Sequence, residues 1–325
     1  MQEEVEFVLL DYSSTDGLYE WCKNLQEFIQ SGILKYFRVE NKIGYNRSHS
    51  RNMAMKLATG EIICNLDADN FLGENFAMFI IRLFEDKKNI FVTTNLLTRD
   101  AFGKACFLKK DFLEVRGYNE CLTGYGVEDI DLFRRLSQKG LRQIVFRNQK
   151  YYGFIPHGFK ERIINDTIYK RIYKVYVNYC NYYRTNVLII FQDQTYLKFY
   201  LDNNRYYYSN IEWSGHKLID IHFNDKNKVI ISGEIEKGHW EYKGDRITFI
   251  EENMTGVPFK QGVLVNKTKY YELEDELKYY LISLYSDAMN YRTVTDILQT
   301  DHTINPSGFG MGVVYKNFST QKTII

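Results

Sequence analysis

What this sequence lacks narrows its reading at once. Its 42 basic and 41 acidic side chains leave a formal charge of +1, so there is no positive surplus for holding nucleic acid through its phosphates. No apolar run approaches the roughly 18 residues that a membrane-spanning helix needs. The opening MQEEVEFVLL has neither the basic start nor the apolar stretch of a signal peptide. The five cysteines (Cys22, Cys64, Cys106, Cys121 and Cys180) lie far apart with no CxxC pair, and read as free thiols in a reducing compartment. A soluble, cytoplasmic protein with no nucleic-acid partner is the expectation. The chain has 325 residues, 45% hydrophobic and 26% charged, enough for a buried core and two domains. Its 27 tyrosines read first as packing residues with a wet hydroxyl, and second as platforms for sugar rings.

From residue 5 to about 150, strand and helix patterns alternate. Val5 to Leu10 is a short apolar run ending at Asp11, the signature of a buried strand. Gly17 opens a helix whose apolar positions Leu18, Trp21, Cys22, Leu25, Phe28 and Ile29 follow the 3.6 period, and Gly32 stops it. Strands are expected at Ile33 to Val39, Glu61 to Leu66, Ile90 to Thr94 and around Val145 and Phe146. Helices are expected at Ser48 to Ala58, Glu74 to Phe84 and Ile130 to Gln138. This alternation predicts an α/β layer structure with a largely parallel sheet, and ligands then sit beyond the carboxyl ends of the strands. Asp11 and Asp67-Ala68-Asp69 stand at such ends. Lys160 to Arg184 is basic, aromatic and helical in period. It reads as a packed connecting helix, with a peripheral membrane contact as the lesser alternative. Beyond it, short alternating stretches between Thr195 and Ile250 predict a β-meander. A helix from Leu273 to about Asn290 and a glycine-rich tail at residues 308–312 follow.

Three clusters carry chemistry. Asp67 and Asp69 offer oxygen ligands for Mg²⁺ or Mn²⁺, or simply cap a strand-to-helix turn. Gly124-Tyr125-Gly126-Val127-Glu128-Asp129 is a glycine loop running into a helix with acids in its first turn. The helix N-terminus favours the ionised carboxylate that a general base needs, while plain charge placement is the alternative. His157, in IPHG, is a structural histidine or a metal ligand.

Together the segments YNRSHSRNMAMKLATGEIICNLDADN, FGKACFLKKDFLEVRGYNECLTGYGVEDIDLFRRL and IPHG resemble an inverting glycosyltransferase of the GT-A fold. The resemblance is to the galactosyltransferase-related branch of family 2 and covers about residues 5–185. It implies a Rossmann-like, mostly parallel catalytic domain over 1–185, followed by a β-rich accessory domain over 186–325. It further implies transfer of a sugar, with inversion, from a nucleotide-sugar donor (a UDP-sugar) to a saccharide acceptor, with Mn²⁺ or Mg²⁺, in surface polysaccharide or glycan synthesis. By the same resemblance Asp129 is the catalytic base and Glu128 holds the acceptor. Asp11 faces the nucleobase, Arg47 the nucleotide, and Tyr125 the sugars. Asp67 lies near ribose and metal, with Asp69 and His157 as metal ligands. The family normally starts one βα unit earlier, with a strand that would lie between the Asp11 and Asp69 strands. That gap leaves a second reading open: a truncated or degenerate relative that binds glycan or nucleotide without catalysis.

Overall fold

The computed structural model describes residues 5–325 apart from 41, 43, 96–102, 182–183, 194, 203–206, 210–219, 223–229, 244–245, 253–257, 266–270, 274–275 and 301. Parts of the alternating stretches expected between Thr195 and Ile250 therefore lie outside the described residues. The chain divides into two compact units, one of residues 1–158 with 290–325, the other of residues 159–289. The boundary expected at residue 185 thus falls at Gly158, and the last 36 residues, read as part of an accessory domain, pack into the first unit.

The first unit begins β1 (Phe7–Tyr12), α1 (Leu18–Lys23), α2 (Gln26–Gln30), β2 (Leu34–Val39), α3 (Arg47–Leu57), β3 (Ile62–Asn65) and α4 (Phe76–Asp86). It continues with β4 (Ile90–Thr93), β5 (Ala105–Leu108), α5 (Lys109–Glu114), α6 (Glu128–Gln138) and β6 (Arg142–Val145). The single helix expected after Gly17 is two, because the amides of Asn24 and Leu25 turn back on the carbonyls of Trp21 and Cys22. β5 and α5 follow one another without a turn residue between them, and the period analysis has no element there. The α/β class holds, in two mixed sheets. One runs β1-β2 and is continued by two C-terminal strands, and the other runs β3-β5-β4-β6. β1–β2 and β4–β6 are parallel, whereas β5 lies antiparallel to both its neighbours.

Periodicity explains the packing. On α4, Phe76, Ile80 and Phe84 recur every four residues and bury one stripe against Ile90, Val92, Cys106 and Phe146. Leu132, Phe133 and Leu136 of α6 do the same against Phe91, Phe107 and Phe112. α3 packs against both β1 and β3. Those two strands end their respective sheets; among the described residues β1 pairs with β2 alone and β3 with β5 alone.

Glu6, just ahead of β1, ties this edge to the turn before β3. Its carboxylate accepts hydrogen bonds from Lys35, from the Thr59 hydroxyl (2.8 Å) and from the Gly60 amide (3.2 Å). Burial would raise its pKa, but the Lys35 ammonium and the Thr59 and Gly60 donors outweigh it and bring the group down to about 2. A depressed carboxyl pKa contributes stability that is fully present above the unfolded value of 4.5 and is lost as pH falls through 2. Glu6→Gln should therefore flatten the acid limb of a stability–pH profile between those values. An unchanged limb would show that Glu6 does not anchor this edge.

The second unit opens with α7 (Phe159–Ile163) and α8 (Thr167–Arg171), followed by β7 (Ile172–Asn181), β8 (Arg184–Phe191) and β9 (Thr195–Asp202). The long connecting helix expected to Arg184 is thus limited to two short turns. The alternating Ile172-Tyr173-Lys174-Val175-Tyr176-Val177, rich in β-branched and aromatic residues, extends as a strand instead. β10 (Tyr207–Ser209) and β11 (Asp220–His222) form a small pair. β12 (Ile230–Lys243), β13 (Arg246–Glu252), β14 (Pro258–Val265) and β15 (Tyr271–Glu272) complete an antiparallel sheet in the order β14-β13-β12-β9-β8-β7-β15. The expected antiparallel run is therefore present in part: β9 pairs with β12, and β10 and β11 stand apart as their own pair. α9 (Glu276–Thr300) follows; from Asn290 onward it counts with the first unit, as do β16 (Val313–Lys316) and β17 (Lys322–Ile324). Among the described residues no helix is long and apolar enough to cross a membrane.

β16 joins the first sheet antiparallel to β2. The glycine tail ahead of it wraps α3, where Gly310 takes φ +55° and a Cβ would stand 2.8 Å from the Asn52 carbonyl carbon. Only glycine combines that backbone angle with that approach.

Candidate active site

Asn46 starts α3 by accepting the His49 amide on its side chain, 2.9 Å. Four residues apart on that helix, Arg47 and Arg51 share a face. Arg51 is buried, and its guanidinium reaches three carboxylates: Asp67 at 2.8 Å, Asp129 at 3.1 Å and Glu128 at 3.3 Å. It also lies over the ring of Tyr118, 5.3 Å from its centre. Burial works against its charge, but Asp129 and Asp67 more than offset this and hold Arg51 firmly protonated. Asp67 likewise stays below the usual carboxylate range: burial alone would raise it, and Arg51 and the Asn65 amide outweigh burial. Arg51 is thus the hub of the site. The helical pattern places it on α3, yet nothing local singles it out from other arginines.

Glu128 and Asp129 open α6, as the sequence reading has it. The loop ahead of them is held under strain. Gly124 and Gly126 have φ of +78° and +100°, and Val127, a β-branched residue, is at +75°. Packing secures it, since Val127 is buried with Leu122 and Val294. Asn290 adds two hydrogen bonds, donating to the Gly126 carbonyl at 2.8 Å and accepting the Thr123 amide at 3.2 Å. The C-terminal helix therefore supports the loop that presents the acids, a role absent from the sequence reading. Asp129 also accepts the Tyr118 hydroxyl at 3.2 Å. Its pKa is raised to about 6, mainly by burial, with Glu128 and Asp67 adding to the rise and Arg51 opposing it. Arg47 donates to the Gly124 carbonyl at 2.6 Å and lies over Tyr125, 5.0 Å from the ring centre.

The strand-end carboxylates part company. Asp69 meets His157 through Oδ2 and Nε2, and its Oδ1 accepts the Asn70 amide at 2.7 Å. Asp67 is drawn instead to Arg51 and Asn65. Among the described residues no three His, Cys, Asp or Glu side chains gather as a metal cluster, so the expected trio of Asp67, Asp69 and His157 resolves into a pair plus a separate carboxylate. Gly103 lies close beside Asp67: a Cβ there would stand 2.5 Å from its Oδ2, so a larger residue would push that carboxylate aside.

Lys104, 1% exposed, clamps the two loops that carry Asp69 and His157. Its ammonium donates to the carbonyls of Phe71 (2.8 Å) and Tyr151 (2.6 Å). Backbone bonds from Ile155 to Asp69 (2.7 Å) and from Phe71 to Gly153 (2.8 Å) continue the seam.

Asp11 differs most from expectation. It is fully buried, and its oxygens are taken by the Tyr36 hydroxyl (2.6 Å), Arg38 (2.6 Å) and the Ser14 amide (2.8 Å). It faces no open space itself. Arg38 does, over the ring of Tyr19 at 4.9 Å, in an open pocket also lined by Ser14, Thr15, Gly17 and Glu40. Asp11 holds the guanidinium in place; Arg38 stands next to last in β2 between the apolar Phe37 and Val39, so the strand pattern gives no sign of it.

Comparison with solved structures finds partial likenesses. A mannosyltransferase from Pyrobaculum calidifontis, in complex with GDP-Man and Mn²⁺, is 20% identical over 44% of this chain and 46% of its own, with a TM-score of 0.37. This chain thus spans under half of that enzyme. The catalytic domain of Drosophila β1,4-galactosyltransferase 7, in complex with xylobiose, is 15% identical over 50% of this chain and 75% of its own, at a TM-score of 0.35. A mutant of the Drosophila enzyme in complex with manganese, UDP-Gal and xylobiose gives 14%, 49%, 74% and 0.34. The stretch that builds most of the site, residues 1–152, matches the family model described as glycosyl transferase family 2.

Proposed function

We propose that this chain is a metal-dependent inverting glycosyltransferase of family 2, moving a sugar from a UDP-sugar to a hydroxyl of a saccharide acceptor. The observation that carries this reading is the assembly around Arg51. One buried guanidinium gathers the strand-end Asp67 with the helix-start Glu128 and Asp129. In this reading Asp129 takes the proton of the attacking hydroxyl, and Glu128 beside it holds the acceptor. Arg47, above Tyr125, faces the donor's diphosphate, and Arg38, steadied by Asp11, faces its base.

The donor set fits a divalent ion, since a carboxylate oxygen and an imidazole nitrogen are both ligand types that Mn²⁺ accepts, and Asp69 and His157 already meet. Mn²⁺ or Mg²⁺ held by that pair would supply positive charge against the leaving diphosphate. Two neighbours named for their Mn²⁺ or manganese complexes, one with GDP-Man and one with UDP-Gal, are in keeping with this.

A second reading, binding of nucleotide or glycan without transfer, draws on one observation. Among the described residues β1 and β3 end separate sheets, and no strand pairs with both.

Calorimetric titration of UDP with Mn²⁺ and then with EDTA tests the metal assignment. Binding should need the metal and should be lost in Asp69→Ala. Equal binding in EDTA would show that Asp69 and His157 hold no metal for the nucleotide. Hydrolysis of a UDP-sugar in Mn²⁺ but not in EDTA then separates the transferase from the binder.

A further inference from the structure

Cys64 and Cys106, 42 residues apart in the chain, stand on facing positions of the β3–β5 ladder with their sulfurs 3.0 Å apart. Directly paired residues of an antiparallel ladder have Cα atoms about 4.5–5.5 Å apart, inside the roughly 4.4–6.8 Å that a disulfide spans. The backbone therefore need not move for the two to bond. Cys64 is exposed and Cys106 is buried beneath it, an arrangement with one accessible thiol and one resolving thiol. The transfer reaction proposed above uses neither.

We propose that Cys64 and Cys106 form a reversible disulfide, an oxidative modification site that clips β3 to β5 beside the Asn65 and Asp67 arm. The Cys64 thiolate attacks one sulfur of a soluble disulfide such as oxidised glutathione and expels the first thiol. Cys106 then attacks the Cys64 sulfur and expels the second. The two cysteines lose two electrons and two protons, and both appear in the two thiols released. Burial holds the Cys106 thiol well above its ordinary range, and the neighbouring Cys64 adds to this. Cys64 is the exposed thiol of the two, so the mixed disulfide forms there first. The adjoining residue, Asn65, donates to both Asp67 (3.2 Å) and the Gly103 carbonyl (2.9 Å), so the cross-link lies one residue from the hydrogen bonds that place Asp67.

The test uses the whole reduced chain in a series of reduced and oxidised glutathione mixtures, quenched with acid, alkylated in denaturant so that the buried Cys106 is also reached, and read by intact mass and non-reducing peptide mapping. The expected result is the joint loss of the Cys64 and Cys106 thiols, one linked peptide pair containing both, and their return on adding dithiothreitol. Exposed Cys121 serves as the internal comparison and should stop at the mixed disulfide. In Cys64→Ser, Cys106 should stay alkylatable, because its only accessible entry is gone. The proposal is overturned if both thiols remain alkylatable in the most oxidising mixture, if Cys64 stops at the glutathione adduct, or if either links to another cysteine. These readouts are covalent and stand whether or not the chain transfers sugars.

Discussion

Replacing Asp129 by asparagine is expected to lower sugar transfer by about 10²–10⁴-fold, the usual worth of a positioned general base, while nucleotide binding persists. The amide keeps the shape and can still meet Arg51 and Tyr118, but it cannot accept a proton. The pH profile adds a second signature. With Asp129 raised to about 6, the base is protonated and idle below that value and ionised above it. The rate of the parent chain should climb as pH rises through about 6 and then level off. Asp129→Asn should lose this limb, and a variant that keeps both rate and limb would sink the assignment.

The second large effect is on stability. Arg51→Met should destabilise the first unit by about 3–5 kcal/mol, the cost of leaving buried charge without its partner. Three carboxylates would then face one another around an apolar side chain. Denaturant unfolding followed by a probe in the first unit would measure it, and a loss under about 1 kcal/mol would mean that water or another cation already serves the cluster. Arg51→Lys should recover only part, because an ammonium lacks the planar fork that reaches Asp67 and Asp129 from separate nitrogens. The same substitution to Met removes the charge that opposes the rise at Asp129, and should shift the activity limb to higher pH, a readout that loss of packing alone would not produce.

Much of the site was legible because its parts begin or end elements with clear periods. The apolar run before Asp11, the strand before Asp67 and the glycine loop before Glu128 each place an acid at a strand end or a helix start, and the structure keeps all three there. His157 and Asp69 were paired by resemblance, and they do meet. Two of the misreadings have local causes. β5 and α5 adjoin with no turn residue, so the period changes without punctuation. Residues 172–177 carry both a helical and an alternating pattern, and pairing of β7 with β8 decides for the strand.

The sequence by itself determined the α/β order of the first half, the acids at element ends and part of the antiparallel run of the second half, because these depend on patterns within a few residues. Only the tertiary structure decided that Arg51 serves carboxylates 16, 77 and 78 residues away. It alone closed β16 onto β2, brought Asn290 under the Gly126 loop and set Cys64 against Cys106. Such pairings are chosen by which faces and charges must be buried together, and that choice is made by the whole fold.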